Sequence, residues 1–406
     1  MARRKTSKTK NIIASIICLV LGLALGFVFE TYRSLPDSYK IPEKVAGGKY
    51  ESVVTGEIDS EVVTSSDLSI HFIELGNKYT GDCTFIKVGD TEMLIDAGSR
   101  ASSIPYIAEY IDTYCTDGVL EYVVVTHAHQ DHYAGFATNS STDSLFDLYK
   151  VETIIEFAQT YKTESASQYK NYRREVEEEL TDNNGALFTA LDCIEGTATM
   201  NGQTASRTFD LSDDGSIYFE ILDQKFYHPE NKDEADSENN FSVCLQIVQG
   251  DKKYLFTGDL EEEGEESLVA LNGDSLSHVE LYKAGHHGSK TSSSNALLEV
   301  ITPNVVCVCC CAGSSEYTSK NENQFPTQEF IDRVSPYTNQ IYVTTLCIDY
   351  KSNKFESFNG NIVVCASTNQ ETKETTIAVF CSNNTTVLKD TEWFKANRTL
   401  PENAVA

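Results

Sequence analysis

A chain of 406 residues with 40% apolar residues and only eight prolines is long enough to bury a core and too poor in breakers for a disordered polymer. Its formal net charge of -29 repels a phosphate backbone over most of the surface, which argues against nucleic acid as a general partner. That exclusion stops at a metal site, where a dication can reverse the local sign, so a phosphate ester stays open as a substrate.

Residues 1–10 carry five Lys and Arg, and residues 11–29 follow without a formal charge. A run of this kind approaches the roughly 20 apolar residues of a membrane-spanning helix, and its basic flank sets the N-terminus in the cytoplasm and the rest of the chain outside. A cleaved signal peptide is the competing reading, but no A-x-A-like site follows the run, so an uncleaved anchor is expected. Residues 30–66 are polar, acidic and broken by Pro36, Pro42, Gly47 and Gly48, and read as a linker.

From Ile70, short apolar runs with Gly and Asp turns (IHFIEL, CTFIKVGD, EMLIDAG) read as a strand meander. The run SIPYIAEYIDTYC has helical spacing, and YVVVTHAHQDH is a buried strand entering a polar loop. Between Leu145 and Asp223 one charged helix, QYKNYRREVEEEL, is visible, and the remainder reads as insertion and substrate-side loops. SVCLQIVQ and KKYLFTGD then pair across a turn at Gly250 and Asp251, ahead of an acidic helix start at EEEGEESLVAL. VELYKAGHHG, VVCVCC and QIYVTTLCIDY supply further strands, and residues 351–406 read as a small β appendage to a main domain at 67–350.

Twelve cysteines suit a disulfide framework, but Cys244, Cys307, Cys309, Cys347, Cys365 and Cys381 sit in strand-like apolar runs where a free thiol packs as a small hydrophobe. Cys307 and Cys310 have C-x-x-C spacing inside a continuous apolar run, with no second pair to complete a four-thiolate site, so packed thiols are expected there too.

The chemistry concentrates in HAHQDH. Three of the eight histidines fall within these six residues, directly after a buried strand. Side chains alternate along extended backbone, so His127, His129 and Asp131 project to one side while His132 follows on the turn. Imidazole nitrogen and carboxylate oxygen together suit zinc, manganese or iron.

The spacing H-x-H-x-D-H resembles the main metal-binding motif of the metallo-β-lactamase superfamily, and LIDAGS resembles that fold's D-A-G turn at Asp96, Ala97 and Gly98. NNFSVCLQI, YLFTGDLE and YKAGHHGSKTSS more specifically resemble the hydrolase domain of competence proteins of the ComEC type. The resemblance implies a four-layer αββα sandwich of the α/β class that binds zinc as one or two ions, with manganese as the alternative. It also implies Asp259 as the carboxylate bridging two metals and one histidine of the HHG pair as a ligand. His287 is the preferred ligand, which leaves His286 to support a ligand from behind or face substrate, and either His286 or Asp131 to move a proton. Asn240, Ser289 and Lys290 are expected to meet an anionic substrate, and Asp96 either orients a ligand histidine or caps its turn.

One departure stands out. Many members of the superfamily place another histidine between the main motif and the bridging aspartate, whereas this interval holds only His228, in a loop, which leaves the metal count open. His71 and His278 read as structural. The function expected is that of a membrane-anchored extracytoplasmic hydrolase of phosphodiester or related ester bonds, using a metal-activated hydroxide. Nucleic acid enters only as a possible substrate. The rival reading, motivated by the absent histidine, is a binding or sensory ectodomain that keeps the fold without turnover.

Overall fold

The apolar runs become strands of two mixed sheets in the computed structural model, which describes residues 54–138, 142–163 and 165–405. The first sheet is begun by β1 (Val54–Glu57), β2 (Leu68–Phe72), β3 (Thr84–Val88), β4 (Thr91–Ile95), β5 (Val119–Val125), β6 (Lys150–Glu156) and β7 (Ala186–Thr189). A small ribbon, β8 (Thr199–Met200) with β9 (Gln203–Thr204), leads to the second sheet. That sheet takes β10 (Thr208–Asp210), β11 (Ile217–Leu222), β12 (Cys244–Gln249) and β13 (Lys252–Phe256), then β14 (Leu281–Lys283), β15 (Val305–Ala312), β16 (Gln340–Asp349) and β17 (Lys354–Ser357). The chain finally returns to the first sheet with β18 (Ile362–Thr368) and β19 (Thr375–Cys381), giving the order β1-β19-β18-β2-β3-β4-β5-β6-β7.

Both sheets are built by one rule. An antiparallel hairpin, β3 with β4 or β12 with β13, is followed by strands that run parallel, β4 to β7 and β13 to β16. Parallel neighbours need a crossover, and most of these are helices, Ile104–Ile111 before β5 and Glu262–Asn272, Asn295–Ile301 and Gln328–Val334 in the second sheet. Ligand loops in such sheets gather at the carboxyl ends of the parallel strands.

Strand alternation sorts side chains into layers. Along β15, Val305, Cys307 and Cys309 face the core between the sheets, while Val306, Val308 and Cys310 face Leu297, Leu298, Phe330 and Ile331 of the outer helices. Phe72 and Phe256 meet between the sheets with ring centroids 6.4 Å apart. On the outer side of the first sheet, His71 of β2 packs on Tyr110 and Tyr114. The layers are therefore helix, sheet, sheet, helix, an αββα sandwich. Burying each large side chain of this core contributes roughly 1.5–3 kcal/mol.

Several expectations are corrected. Residues 351–406 are no appendage: β18 lies between β19 and β2 with seven and five registered pairs, so the C-terminal strands complete the first sheet. The stretch 54–66, read as linker, contributes β1, which pairs parallel to β19, and a short helix capped by Asp59. The segment 145–223 is not chiefly loops, since β6, β7, β10 and β11 extend both sheets and helix Ser167–Asn183 packs Tyr172 and Val176 into the core. The expected basic tail and membrane segment lie outside the described residues, among which no helix is long and apolar enough to cross a membrane. All eleven described cysteines are free, and ten are buried.

Candidate metal centre

The site forms where three strand ends meet. Strand β5 runs into Thr126 and HAHQDH, β13 into Thr257-Gly258-Asp259, and β14 into the turn that carries His286 and His287. The loop at Gly81 and Asp82 is sewn to the first of these by Asp82 N–H donating to Asp131 O at 3.0 Å, and to the turn after β4 by Gly98 N–H donating to Asp82 O at 2.6 Å. A Cβ at Gly81 would stand 2.9 Å from that same Asp131 carbonyl, so only glycine permits the approach.

His132 is oriented from behind. Asp96 Oδ2 lies 2.7 Å from its Nδ1, and Asp96 itself accepts Thr126 N–H and Thr126 Oγ1–H, each at 2.8 Å. The other ring nitrogen, Nε2, then faces Asp259 Oδ2 at 3.2 Å. His287 is arranged in the same way: Nδ1 donates to Cys309 O at 2.9 Å, and Nε2 stands 3.2 Å from Asp259 Oδ2 and 3.5 Å from Asp131 Oδ2. His127 Nε2 and His129 Nδ1 approach to 3.0 Å beside this group. His127, His132 and Asp259 form one convergent triad of ligand-type atoms, and Asp131, His132 and His287 form another.

His286 and His287 are strained, with φ of 46° and 56° in succession. Non-glycine residues in this region cost about 1–3 kcal/mol each and persist where the surroundings over-determine them. The strain turns the two rings apart. His287 is 1% exposed and faces the carboxylates, while His286 keeps Nε2 3.8 Å from Asp259 Oδ2 and sets Nδ1 against Thr291 Oγ1 at 3.0 Å.

Charge follows the geometry. Burial holds His127 and His129 below the ordinary imidazole range, and holds His286 at about 4. At His132 and His287 burial pulls down as well, but Asp259 overturns it, with Asp96 for His132 and Asp82 for His287, so both rings sit well above their usual value. Positive charge is thus wanted at one point, between those two rings and Asp259.

The donor set fits a dication. His132 Nε2, His287 Nε2 and Asp259 Oδ1 are all buried without a hydrogen-bond partner, and Asp82 Oδ1 stands 3.1 Å from His287 Nδ1. An orphaned buried polar atom costs about 1–3 kcal/mol, and a cation shared among nitrogen and oxygen donors is what such a set accepts.

Three neighbours escaped the sequence reading. Lys283, 3% exposed, contacts Asp82 Oδ2, donates to Gly258 O at 3.1 Å and lies 3.6 Å from Asp259 Oδ1. Asp82 itself reads in sequence like any turn aspartate. Tyr317, from the loop after β15, donates its hydroxyl to Asp131 Oδ2 at 3.0 Å and packs on Phe325, whose ring also flanks both His286 and His287.

Among the expected substrate contacts, Asn240 is corrected: it is 1% exposed and spends its amide on Asp236 Oδ1 and Glu261 N–H, bracing the loop instead. Ser289 is buried with its hydroxyl near Thr291, and Lys290 is exposed. His228 pairs with Asp223 at 3.1 Å, His71 bonds Tyr110 and Ser69, and His278 bonds Thr302, all outside the cluster.

A profile of the metallo-beta-lactamase superfamily matches residues 76–138 and 236–312, the segments that hold Asp82, Asp96, the HAHQDH loop, Asp259, Lys283 and the histidine pair. The chain carries a metallo-β-lactamase superfamily domain. A stretch of 125 residues is 34% identical to "Competence protein ComA" of Neisseria gonorrhoeae, a match covering 31% of this chain and 17% of that protein. Another 86-residue match is 36% identical to "ComE operon protein 3" of Bacillus subtilis, covering 21% of this chain and 11% of the relative. The chain therefore spans less than a fifth of the length of either relative. A solved structure, the metallo-beta-lactamase fold protein YhfI of Bacillus subtilis, aligns over 71% of this chain and 99% of its own at 11% identity and a TM-score of 0.38.

Proposed function

We propose that this metallo-β-lactamase domain is a metal-dependent hydrolase of phosphodiester or related ester bonds, anchored by residues 11–29 and working outside the cytoplasm. The observation that carries the reading is the convergence of His132 Nε2 and His287 Nε2, both buried without a hydrogen-bond partner, on Asp259 Oδ2 at 3.2 Å each. His127, His129, Asp131, His132, Asp259 and His287 would hold zinc, as one or two ions, or manganese. The bound metal supplies a Lewis acid and a water of lowered pKa, which removes the need for a serine or cysteine nucleophile.

The chain's own groups do the rest. Asp96 and the Cys309 carbonyl keep His132 and His287 in the tautomer that presents Nε2 inward. His286, kept neutral by burial, can take a proton at Nε2 beside Asp259. Phe325 screens one wall from water, and the Tyr317 hydroxyl offers a hydrogen bond at the rim beside Asp131. Exposed Lys290 supplies positive charge for an anionic substrate. Similarity to competence proteins tilts the substrate toward a phosphodiester, and the acidic composition toward a small or envelope-bound ester rather than a long polynucleotide.

The test is the purified chain with zinc or manganese, against a chelated control, on chromogenic phosphodiester, phosphomonoester and lactone substrates. Metal-dependent turnover of the phosphodiester is expected. Absence of metal-dependent turnover across the panel would instead favour a binding or sensory domain.

A further inference from the structure

Asp82, Asp259 and His287 place ligand-type atoms within 4.8 Å of one another, a grouping able to hold a cation in its own right. Two of its oxygens, Asp82 Oδ1 and Asp259 Oδ1, are buried, the second without a hydrogen-bond partner. The histidine reaches this side only through a nitrogen already engaged: its Nδ1 donates to Cys309 O and stands 3.1 Å from Asp82 Oδ1, while its Nε2 faces Asp131 and Asp259 Oδ2. The donors left are oxygens: the two carboxylates and the Gly258 carbonyl.

That oxygen cluster already surrounds a charge. The Lys283 ammonium contacts Asp82 Oδ2, donates to Gly258 O at 3.1 Å and stands 3.6 Å from Asp259 Oδ1. Lysine is rarely buried unless paired, and this one lies at the end of a three-residue strand fixed between parallel neighbours β13 and β15. The strand fixes where its stem begins, and at 3% exposure the ammonium is enclosed among the oxygens. The charge is held where a metal would otherwise find three oxygens.

We infer that Lys283 is a resident cation of the centre: its ammonium fills the oxygen side formed by Asp82, Gly258 and Asp259, and confines dications to the histidine side. Lys283 and Asp82 are thus positioning residues. The lysine leaves Asp259 Oδ2 turned toward His132 and His287, and it neutralises Asp82 without making Asp82 a ligand. Removing the lysine's charge creates a new metal position whose oxygen donors favour manganese over zinc.

This inference takes its direction from the reading of the cluster as a metal centre, but it fails separately. The full chain and its Lys283→Met variant are equilibrated with zinc and then manganese. Bound metals are counted by elemental analysis, bound manganese is followed by its paramagnetic resonance, and thermal midpoints are taken in chelator and in manganese. The variant is expected to gain about one manganese per chain, because binding to the folded state is what compensates its unpaired carboxylate. Its midpoint should fall below the natural chain's in chelator and recover in manganese. The double variant Asp82→Asn with Lys283→Met, which removes both charges, should fold and show no such gain.

A Lys283→Met chain that binds no more metal than the natural one, or stays unfolded in manganese, overturns the inference. A natural chain without zinc whose variant still gains manganese would sink the hydrolase reading and leave the role of Lys283 standing.

Discussion

Asp96 and Asp259 stand at comparable places in the two sheets. Each follows the second strand of an antiparallel hairpin that next pairs in parallel, Asp96 directly after β4 and Asp259 three residues beyond β13. Burial pushes both carboxyls up. At Asp96 burial prevails over His132, whereas at Asp259 the rings of His287, His132 and His286 overturn it and hold the carboxyl well below its ordinary range. Hydrogen bonding divides them the same way. Asp96 has both oxygens satisfied, by Thr126 and His132, while Asp259 Oδ1 has no partner. Two comparable positions thus differ in bonding: the first half of the sandwich finishes its aspartate as a brace, and the second leaves its aspartate incompletely bonded, as the proposed ligand role requires.

The sharpest way to break this comparison is to neutralise both carboxylates in turn. Asp259→Asn is expected to bring bound metal to background, with hydrolysis lost alongside it, by elemental analysis and phosphodiester assay. Asp96→Asn should keep the metal but bind it about 10–100-fold more weakly, as loss of an outer-shell carboxylate does, measured by chelator competition. Equal effects from the two substitutions would mean that the difference in hydrogen bonding does not separate a ligand from a brace.

The histidine and carboxylate loops were legible because a metal needs several donors on short loops at strand ends, and HAHQDH compresses four into six residues. The strands were legible for a related reason, since alternation and Gly or Asp turns are local. What stayed hidden depends on distant partners. Lys283 reads as an ordinary strand end until Asp82, some 200 residues earlier in the chain, is brought against it. Asn240, beside the TGD loop in space, could be assigned to substrate only while its bonds to Asp236 and Glu261 were unseen. Residues 362–381 show the strand pattern plainly, but nothing local tells β18 to pair with β2 rather than with its own extension. The segment 145–223 failed differently: its helix is so charged, and strands β7 and β10 so short, that periodicity carries little signal.

The smallest effect probes how the second half holds its loops without an equivalent of Thr126 and Asp96. There Glu265, fully buried on helix Glu262–Asn272, accepts the N–H groups of Ser293 and Ser294 at 2.7 Å each and ties down the segment after the histidine pair. Burial raises its carboxyl from the ordinary 4.5 to about 7, against the pull of those donors. A carboxyl raised on folding stabilises the fold fully below its unfolded value, and that contribution is lost as the pH rises through about 7. Glu265→Gln cannot ionise, so it should lose stability relative to the natural chain at pH near 5, where it forfeits an acceptor, and recover relative to it near pH 8, where the natural chain buries a charge. The midpoint difference between variant and natural chain, scanned by calorimetry across that range, should therefore rise with pH by a few degrees. A difference that stays flat would mean that the carboxylate is as well solvated by its two donors as by water, and that the second half braces its loop as firmly as Asp96 braces the first.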